Sequence, residues 1–263
     1  MGEVILEAKE ICKYFGGLKA VEQVNMQVEK NDIFGIIGPN GAGKTTFFNV
    51  CSGMYSPTSG DILYKGESII NKRPEEIAKK GIARTFQNIQ LFRNMTVLNN
   101  VKIGFHIRTN ASIFDAIFRN KKYKLDEELV TQEGLEILKK VGLYEYKDTL
   151  AGNLAYGIQR RVEIARALAL NPELILLDEP AAGMNPSETQ GLMKFIQDLN
   201  KEGYTIMVIE HDMKFIMSMS NKVLVLNFGQ KISEGTPEYV KQDEKVITAY
   251  FGRGFDKEAE AKC

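Results

Sequence analysis

The pattern of hydrophobic and polar positions changes character twice along the chain. In residues 3–66, short runs of β-branched and aromatic residues alternate with Gly, Pro and Asn, which predicts strands and turns with one helix opening at Gly43. In residues 88–153, apolar residues recur at helical spacing, in "ASIFDAIF" and again in "EELVTQEGLEILKKVG". The second of these helices has an apolar face and a C-capping glycine: Leu135, Leu138, Val141 and Gly142.

Strands and helices alternate again in the last part of the chain. "LILLDE", "TIMVIE", "KVLVLNFG" and "QKISEG" predict strands, and helices are expected after Gly157 and after Pro186. Strands separated by helices predict a mostly parallel sheet that is covered on both faces. We therefore predict one α/β domain over residues 1–255, with a helical subdomain at 88–153 and a flexible tail at 256–263.

Composition and charge exclude several classes of protein. The chain has 44% hydrophobic and 26% charged residues, which is typical of a globular protein, and equal numbers of basic and acidic residues, 34 each, which imply no pull toward nucleic acid. Its three scattered cysteines, Cys12, Cys51 and Cys263, predict reduced thiols. No apolar run approaches the roughly 18–20 residues that span a bilayer. We expect a cytoplasmic protein that reaches a membrane only by docking.

The segment "GPNGAGKTT" carries the strongest chemical signal. Its spacing, G-x-x-x-x-G-K-T, lies between an apolar strand and a helix, as in loops that bind phosphate. Glycines let backbone N–H groups turn toward a β-phosphate, while Lys44 reaches the β and γ oxygens, Thr45 offers a hydroxyl to Mg²⁺ and Thr46 bonds the α-phosphate. The alternative, a chance glycine-rich turn, does not explain the flanking elements. The predicted loop comprises Gly38, Pro39, Asn40, Gly41, Ala42, Gly43, Lys44, Thr45 and Thr46.

Two carboxylates end the segment "LILLDE", directly after its apolar strand and at the edge where ligands of parallel sheets bind. Asp178 is predicted to hold Mg²⁺ through water, and Glu179 to act as the base that polarises the attacking water, a role worth roughly 10²–10⁴-fold in rate. The alternative is a helix-capping pair. His211 ends the next strand, where a neutral imidazole would bond both the γ-phosphate and the water. The alternative is that His211 has only a structural role. We interpret His106, in the helical insert, as a structural histidine.

Gln87, in "RTFQN", stands where the helical insert begins. Its side-chain carbonyl is a suitable Mg²⁺ ligand and would report the presence of the metal to the insert. An exposed loop glutamine without a function is the alternative.

Six motifs occur in a fixed order: "GPNGAGKTT", "RTFQN", "NLAYGIQRR", "LILLDEP", "AAGMN" and "IEHD". Together they resemble the nucleotide-binding domain of ATP-binding cassette (ABC) transporters across nearly the whole chain. Within this family, the chain more narrowly resembles the LivG/BraF type, an ATPase subunit of branched-chain amino acid importers. The segments that carry this narrower resemblance include "KYFGGLKAV", "DEPAAGMNP" and "VITAYFG". The resemblance implies a P-loop NTPase fold in which a RecA-like core and an antiparallel β-subdomain, residues 1–87 and 154–255, join the helical subdomain.

The resemblance also implies roles that spacing does not give. Phe15 matches the aromatic residue that stacks on adenine, with Tyr14 as a second candidate and a core aromatic as the alternative. Asn185 stands where the family usually has Asp in the loop between paired sites. Cassettes of this family pair head to tail, so each ATP lies between the phosphate loop of one and the signature motif of the other.

The signature motif of this chain, "LAYGIQ", departs from the family's spelling. Ala155 replaces a serine and so removes a hydroxyl donor to the γ-phosphate, worth about 1.5–3 kcal/mol. Tyr156 replaces a glycine, which predicts that no positive φ is needed there. Because Gly157 and the following helix N-terminus remain, we predict a weakened but working clamp on the partner's nucleotide.

These observations predict a Mg²⁺-dependent ATPase that energises the import of branched-chain amino acids. The implied partners are a second ATPase subunit, identical or LivF-like, transmembrane permease subunits and, indirectly, a solute-binding protein. Its expected location is the inner face of the cell membrane, with a groove around "NIQLFRNMTVLNNV" receiving the permease. Alternatives are an ATPase for lipopolysaccharide export or for the import of urea, amides or other amino acids, a nucleic-acid-associated cassette, and a binding module without catalysis.

Overall fold

A computed structural model describes residues 2–107 and 121–251 of the chain. The chain forms two compact units. The first comprises Met1–Arg73 and Asn200–Cys263, and the second comprises Pro74–Leu199. The predicted helix "ASIFDAIF", the tail at 256–263 and Cys263 lie outside the described residues.

The first unit contains an antiparallel sheet, as the resemblance predicts. Long strands β1 (Val4–Phe15) and β2 (Leu18–Glu29) pair with each other, and β1 also pairs with β4 (Ser59–Tyr64), which is followed by the short β5 (Glu67–Ser68). In β2, buried Val24, Met26 and Val28 alternate with exposed residues, since successive side chains of a strand point to opposite faces.

A parallel group of strands forms the rest of this unit. The fully buried β3 (Ile33–Ile37) lies parallel to β8 (Thr205–Ile209) on one side and to β9 (Lys222–Asn227) on the other. The last strand, β10 (Gln230–Gly235), returns antiparallel to β9. The helices of the unit are α1 (Lys44–Cys51), α7 (Met213–Met219), α8 (Pro237–Gln242) and α9 (Glu244–Phe251).

The second unit is mainly helical around two parallel strands, β6 (Ile82–Arg84) and β7 (Leu174–Asp178). Among its described residues, the helices are α2 (Pro74–Lys79), α3 (Val97–Gly104), α4 (Lys121–Lys140), α5 (Tyr156–Leu168) and α6 (Pro186–Lys201). Helix α3 packs so closely on α5 that a Cβ atom at Gly104 would lie only 2.2 Å from the carbonyl oxygen of Arg166.

The architecture confirms the predicted α/β fold class with its antiparallel sheet. Helix α4 ends as predicted, with Gly142 in the left-handed region at φ 67°. Leu138 and Val141 are buried there, whereas Leu135 is half-buried. The domain extent of 1–255 and the subdomain boundaries at 87 and 154 remain predictions. Within the described part of the chain, no helix combines the length and apolar character needed to cross a membrane.

Candidate active site

The phosphate loop connects β3 to α1 through backbone positions that only glycine occupies comfortably. Gly43, the N-cap of α1, has φ 94°, and a Cβ atom there would lie 2.3 Å from the carbonyl oxygen of Ala20. A Cβ atom at Gly38 would lie 2.2 Å from the carbonyl oxygen of Leu226. The loop is therefore pressed against neighbouring backbone on two sides, which explains why the motif requires glycine at these two positions.

Lys44 is a buried cation at the start of α1. Its side chain is 5% exposed, and its Nζ donates to the carbonyl oxygens of Gly38, at 2.6 Å, and Pro39, at 3.0 Å. The ammonium group thus lies inside the curve of the loop, at the positive end of a helix dipole. Such an arrangement favours an anion of the size of a phosphate.

A cavity of about 400 Å³ lies over this loop. Its walls are formed by residues 40–46, by 18–20 and by two residues distant in sequence, His211 and Phe228. The structure therefore brings His211 to the same cavity as Lys44, Thr45 and Thr46. Phe228 is 86% exposed in the turn after β9. The sequence did not identify it as a site residue, because an isolated phenylalanine outside a motif does not indicate a binding site.

Tyr250 lies near the phosphate loop. It lies in α9 with a buried hydroxyl, and burial raises the pKa of this group to about 12, while the backbone of Gly38 opposes the shift. Helix α9 thus approaches the first glycine of the phosphate loop.

Phe15, the predicted adenine partner, is the last residue of β1 and is 44% exposed. Its ring meets that of Tyr55 edge-on with centroids 5.7 Å apart, and Lys13 Nζ lies 5.1 Å from its centroid. Phe15 is thus a surface aromatic and not a core residue. It is not among the described residues that line the 400 Å³ cavity. Tyr14, the second candidate, is half-buried.

The two acidic residues at the end of β7 have different neighbours within the second unit. Asp178, 5% exposed, accepts a hydrogen bond from Arg84 Nη2 at 2.7 Å, and Glu179, 6% exposed, accepts one from Gln87 Nε2 at 2.7 Å. Glu179 also has φ 45°, which a residue with a side chain rarely adopts. Such conformations cluster at functional sites. The structure therefore brings Gln87 and Glu179 together.

The signature residues begin α5. Ala155 is the N-cap of this helix and makes no side-chain capping hydrogen bond. Tyr156 is the first residue of the helix and does not have a positive φ, as the sequence predicts. The Tyr156 ring, 39% exposed, packs over Gly183, where a Cβ atom would lie 3.9 Å from Cε1. Gly157 lies against Glu188, so the helix start contacts the loop "AAGMN" and the residues after it.

Asn185 in that loop caps α6. Its Oδ1 accepts from the N–H of Glu188 at 3.0 Å, and its own N–H donates to Glu188 Oε2 at 3.1 Å, a reciprocal capping box. Asn and Asp are equally good N-caps, so the departure from the family spelling preserves the helix start.

The predicted metal ligands carry oxygen donors only: a hydroxyl on Thr45, an amide carbonyl on Gln87 and a carboxylate on Asp178. This donor set fits Mg²⁺, which prefers oxygen and keeps several waters and phosphate oxygens as further ligands. Among residues 2–107 and 121–251, no group of three or more His, Cys, Asp or Glu side chains is arranged to hold a metal. His106, the other histidine, is exposed in a 3₁₀ turn of the second unit.

Comparison with known proteins tests the resemblance to the ABC transporter family. The family model described as "ABC transporter" matches residues 21–182, more than half of the chain. The chain belongs to the ABC transporter ATPase family. A second model, "Branched-chain amino acid ATP-binding cassette transporter", matches residues 230–256 of this ABC cassette.

Relatives and solved structures agree with this assignment. The cassette is 43% identical to BraF of Pseudomonas aeruginosa, a high-affinity branched-chain amino acid transport ATP-binding protein, over 96% of this chain and 99% of the relative. It is 40% identical to the LivG protein of Escherichia coli with the same coverage. Among crystal structures, the ADP conformation of an ABC transporter cassette superimposes with TM-score 0.82 at 35% identity, covering 95% of this chain and 99% of the other. A dimeric cassette in a post-hydrolysis state, bound to ADP and phosphate, gives TM-score 0.72 at 26% identity over 89% and 99%.

These findings confirm the predicted resemblance, fold and class of ATPase. Sequence reasoning missed Arg84, which pairs with Asp178 in this ABC cassette, and Arg160, whose guanidinium is buried beside Gln87. Arg84 opens the quoted "RTFQN" and Arg160 lies in the quoted "NLAYGIQRR", but basic residues in such motifs are ordinarily exposed. In the structure, the Arg84 side chain is 12% exposed and Arg160 is fully buried, and these positions single them out.

Proposed function

We propose that the chain binds and hydrolyses ATP to energise the import of branched-chain amino acids. The observation that carries the proposal is the phosphate loop, where the buried Lys44 and the exposed His211 line one cavity. Support for the substrate class comes from the family model that matches residues 230–256 and from relatives that are named as branched-chain amino acid transport proteins.

Hydrolysis in this proposal uses side chains with separate tasks. Lys44 exchanges the carbonyl oxygens of Gly38 and Pro39 for phosphate oxygens, and Thr46 bonds the α-phosphate. Glu179 takes a proton from the attacking water while the oxygen of that water forms a bond to the γ-phosphorus. The bond from this phosphorus to the bridging oxygen then breaks and releases ADP and phosphate. His211 orients the water and the γ-phosphate.

Mg²⁺ is the proposed cofactor, held by Thr45, Gln87 and Asp178. When bound, it neutralises charge on the β- and γ-phosphates. Because Asp178 lies against Arg84 and Gln87 against Glu179, both residues have partners that hold them without metal.

The proposed assembly pairs this chain with a second ATPase subunit, identical or LivF-like. Residues 155–157 of each cassette then close over the nucleotide of the other. The dimeric relative bound to ADP and phosphate supports such pairing. The pair would dock onto permease subunits at the inner face of the membrane, beneath a solute-binding protein, with no nucleic acid involved.

The permease would dock on the loop that presents Phe92. This residue is 53% exposed, while buried Asn100 accepts from its N–H at 2.9 Å and donates to its carbonyl oxygen at 3.1 Å. A rigidly held, exposed aromatic residue suits a protein contact. We expect Phe92→Ala, and Met95→Ala beside it, to abolish uptake of labelled leucine by the reconstituted transporter while ATP turnover continues. Unchanged transport in both variants would contradict this docking site.

ATP turnover measured over a wide range of chain concentration tests the proposal, beside the variant Glu179→Gln. We expect the rate per chain to rise with concentration, because the sites pair, and the variant to lose roughly 10²-fold or more in kcat. A rate per chain that does not depend on concentration would contradict pairing. ATP binding without turnover at any concentration would show that a different second cassette is required. Transport of leucine but not urea by the complete complex would then separate the importer from its alternatives.

A further inference from the structure

Arg160 on α5 is a fully buried cation, 0% exposed, in the second unit. Its Nη1 donates to the carbonyl oxygen of Phe86 and to Glu163 Oε2, both at 2.7 Å, and its Nη2 donates to the carbonyl oxygen of Gln87 at 2.6 Å. One guanidinium group therefore fixes two consecutive backbone carbonyls, those of the residue that contacts Glu179 and of the residue before it.

Glu163 completes this attachment one turn further along the helix. Its side chain is 1% exposed, and its Oε1 accepts from the N–H of Gln90 at 3.1 Å. Burial raises the pKa of the Glu163 carboxyl, and the charge of Arg160 opposes this. Residues 86–90 are thus held to α5 at both ends.

A buried ion pair is poor evidence for a stabilising role. Apolar residues of similar size often stabilise a fold as well or better, because two charges must be removed from water. The groups that the pair holds in place are therefore more informative than its contribution to stability. At one end of α5, Tyr156 precedes Arg160 by four residues, or about 6 Å along the axis. The segment that Arg160 holds includes Gln87, whose Nε2 lies 2.7 Å from Glu179 Oε2.

We propose that the Arg160–Glu163 pair is a positioning device that makes Gln87 move with α5. The inference rests on the proposed function, in which the partner's nucleotide binds the first turn of α5. Displacement of the helix by that nucleotide shifts the carbonyls of Phe86 and Gln87 with it. The Gln87 side chain then changes its contact with Glu179, so occupancy of the site in the partner controls hydrolysis in this chain.

The test compares the double variant Arg160→Met/Glu163→Met with Arg161→Met. Removal of both charges leaves neither member of the pair as an unpaired ion. Arg166, which also lies 4.0 Å from Glu163, keeps its hydrogen bond to the carbonyl oxygen of Gln90, so the double variant is expected to fold. Arg161 is the matched control, since it is the next residue on the same helix but donates to the carbonyl oxygen of Gly191, at 2.9 Å, and lies over the ring of Phe195. Arg160→Lys keeps the charge but cannot hold both carbonyls in the same planar geometry.

The readouts are the Kd for ATP, kcat and the Hill coefficient for ATP hydrolysis, in the assembly that turns over ATP. We expect wild type to approach a Hill coefficient of about 2, the number of paired sites. In the double variant, kcat falls about tenfold to 100-fold and the Hill coefficient falls toward about 1, with an unchanged Kd. Arg160→Lys lies between, and Arg161→Met keeps the wild-type Hill coefficient.

A double variant that keeps the wild-type Hill coefficient would overturn the inference, even if its kcat or stability falls. A control that loses cooperativity to the same extent would overturn it too, because any arginine of α5 would then suffice. A wild type without cooperativity or dependence on chain concentration would overturn the proposed pairing itself, and the inference with it. These outcomes keep the two failures apart.

Discussion

Gly41 and Gly43 of the phosphate loop both have positive φ, at 76° and 94°, but their surroundings differ. A Cβ atom at Gly41 meets nothing within 4 Å, whereas one at Gly43 would lie 2.3 Å from a backbone oxygen of Ala20. A backbone atom cannot move aside as the end of a side chain does. The two positions therefore separate conformational strain from steric clash.

We predict that Gly41→Ala costs about 1–2 kcal/mol of stability, the strain of a left-handed residue, and leaves a loop that binds nucleotide. Gly43→Ala adds the clash with Ala20, which shifts the start of α1, so it should lose more stability and weaken ATP binding at least tenfold relative to Gly41→Ala. Urea unfolding and nucleotide titration of both variants check this. Equal losses would mean that the contact with Ala20 is unimportant.

At the scale of single residues, the sequence identifies the chemistry but not its neighbours. Spacing alone predicts Lys44, Asp178 and Glu179, because each follows an apolar strand in a recognisable motif. The partner of Asp178 is Arg84, which is 94 residues away in the chain. Such a pairing depends on β6 lying beside β7, a long-range contact that no local pattern encodes.

At the scale of elements, the residue at the start of α5 affects both the stability of the helix and the proposed contact with the partner's nucleotide. Its N-cap is Ala155, with φ −59° and ψ 151° and no side-chain capping bond. A hydroxyl there would cap the helix and would also face the partner's nucleotide in the proposed assembly. A stability measurement alone cannot tell these effects apart.

We predict that Ala155→Ser raises the free energy of unfolding by about 1 kcal/mol through capping. It should also strengthen ATP-dependent pairing by roughly tenfold or more, since a hydrogen bond to a charged group is worth about 1.5–3 kcal/mol. Ala155→Asp is the control, because Asp caps as well as Ser but repels phosphate, so stability rises while pairing weakens. Denaturant unfolding and sedimentation with ATP measure the two effects. Stronger pairing in both variants would contradict a phosphate contact.

Elements differ in how well their pattern predicts them. The buried strands β3, β7 and β8 each consist of five buried residues, and their apolar runs are visible in the sequence. By contrast, β6 has three residues and β5 two, too few for a period to emerge. These short strands form because a neighbour is available, so tertiary contacts decide them.

At the scale of the whole molecule, hydrophobic periodicity and contacts divide the chain at different places. The period changes near residue 87, where strands give way to helices, and again near residue 153, where strands and helices begin to alternate. The compact units are instead divided at Arg73 and Leu199. Periodicity reports the local element, and only contacts report which elements share a core. The α/β class could therefore be predicted from the sequence, while the extent of each unit required the structure.

Linkage between nucleotide and stability gives a prediction for the whole chain. A ligand that binds only the folded state stabilises it by about 2.7 kcal/mol at 100 times its Kd, which corresponds to a rise in Tm of about 5–11 °C for a chain of roughly this size. The measurement is best made on Glu179→Gln, so that ATP is not consumed during heating. Adding Lys44→Ala to that variant removes the buried ammonium from the loop, and at the same ATP concentration the rise in Tm should largely disappear. If it persisted, ATP would be stabilising the chain from a site other than the phosphate loop, and the roles proposed for Thr45, Thr46 and His211 would fall with that of Lys44.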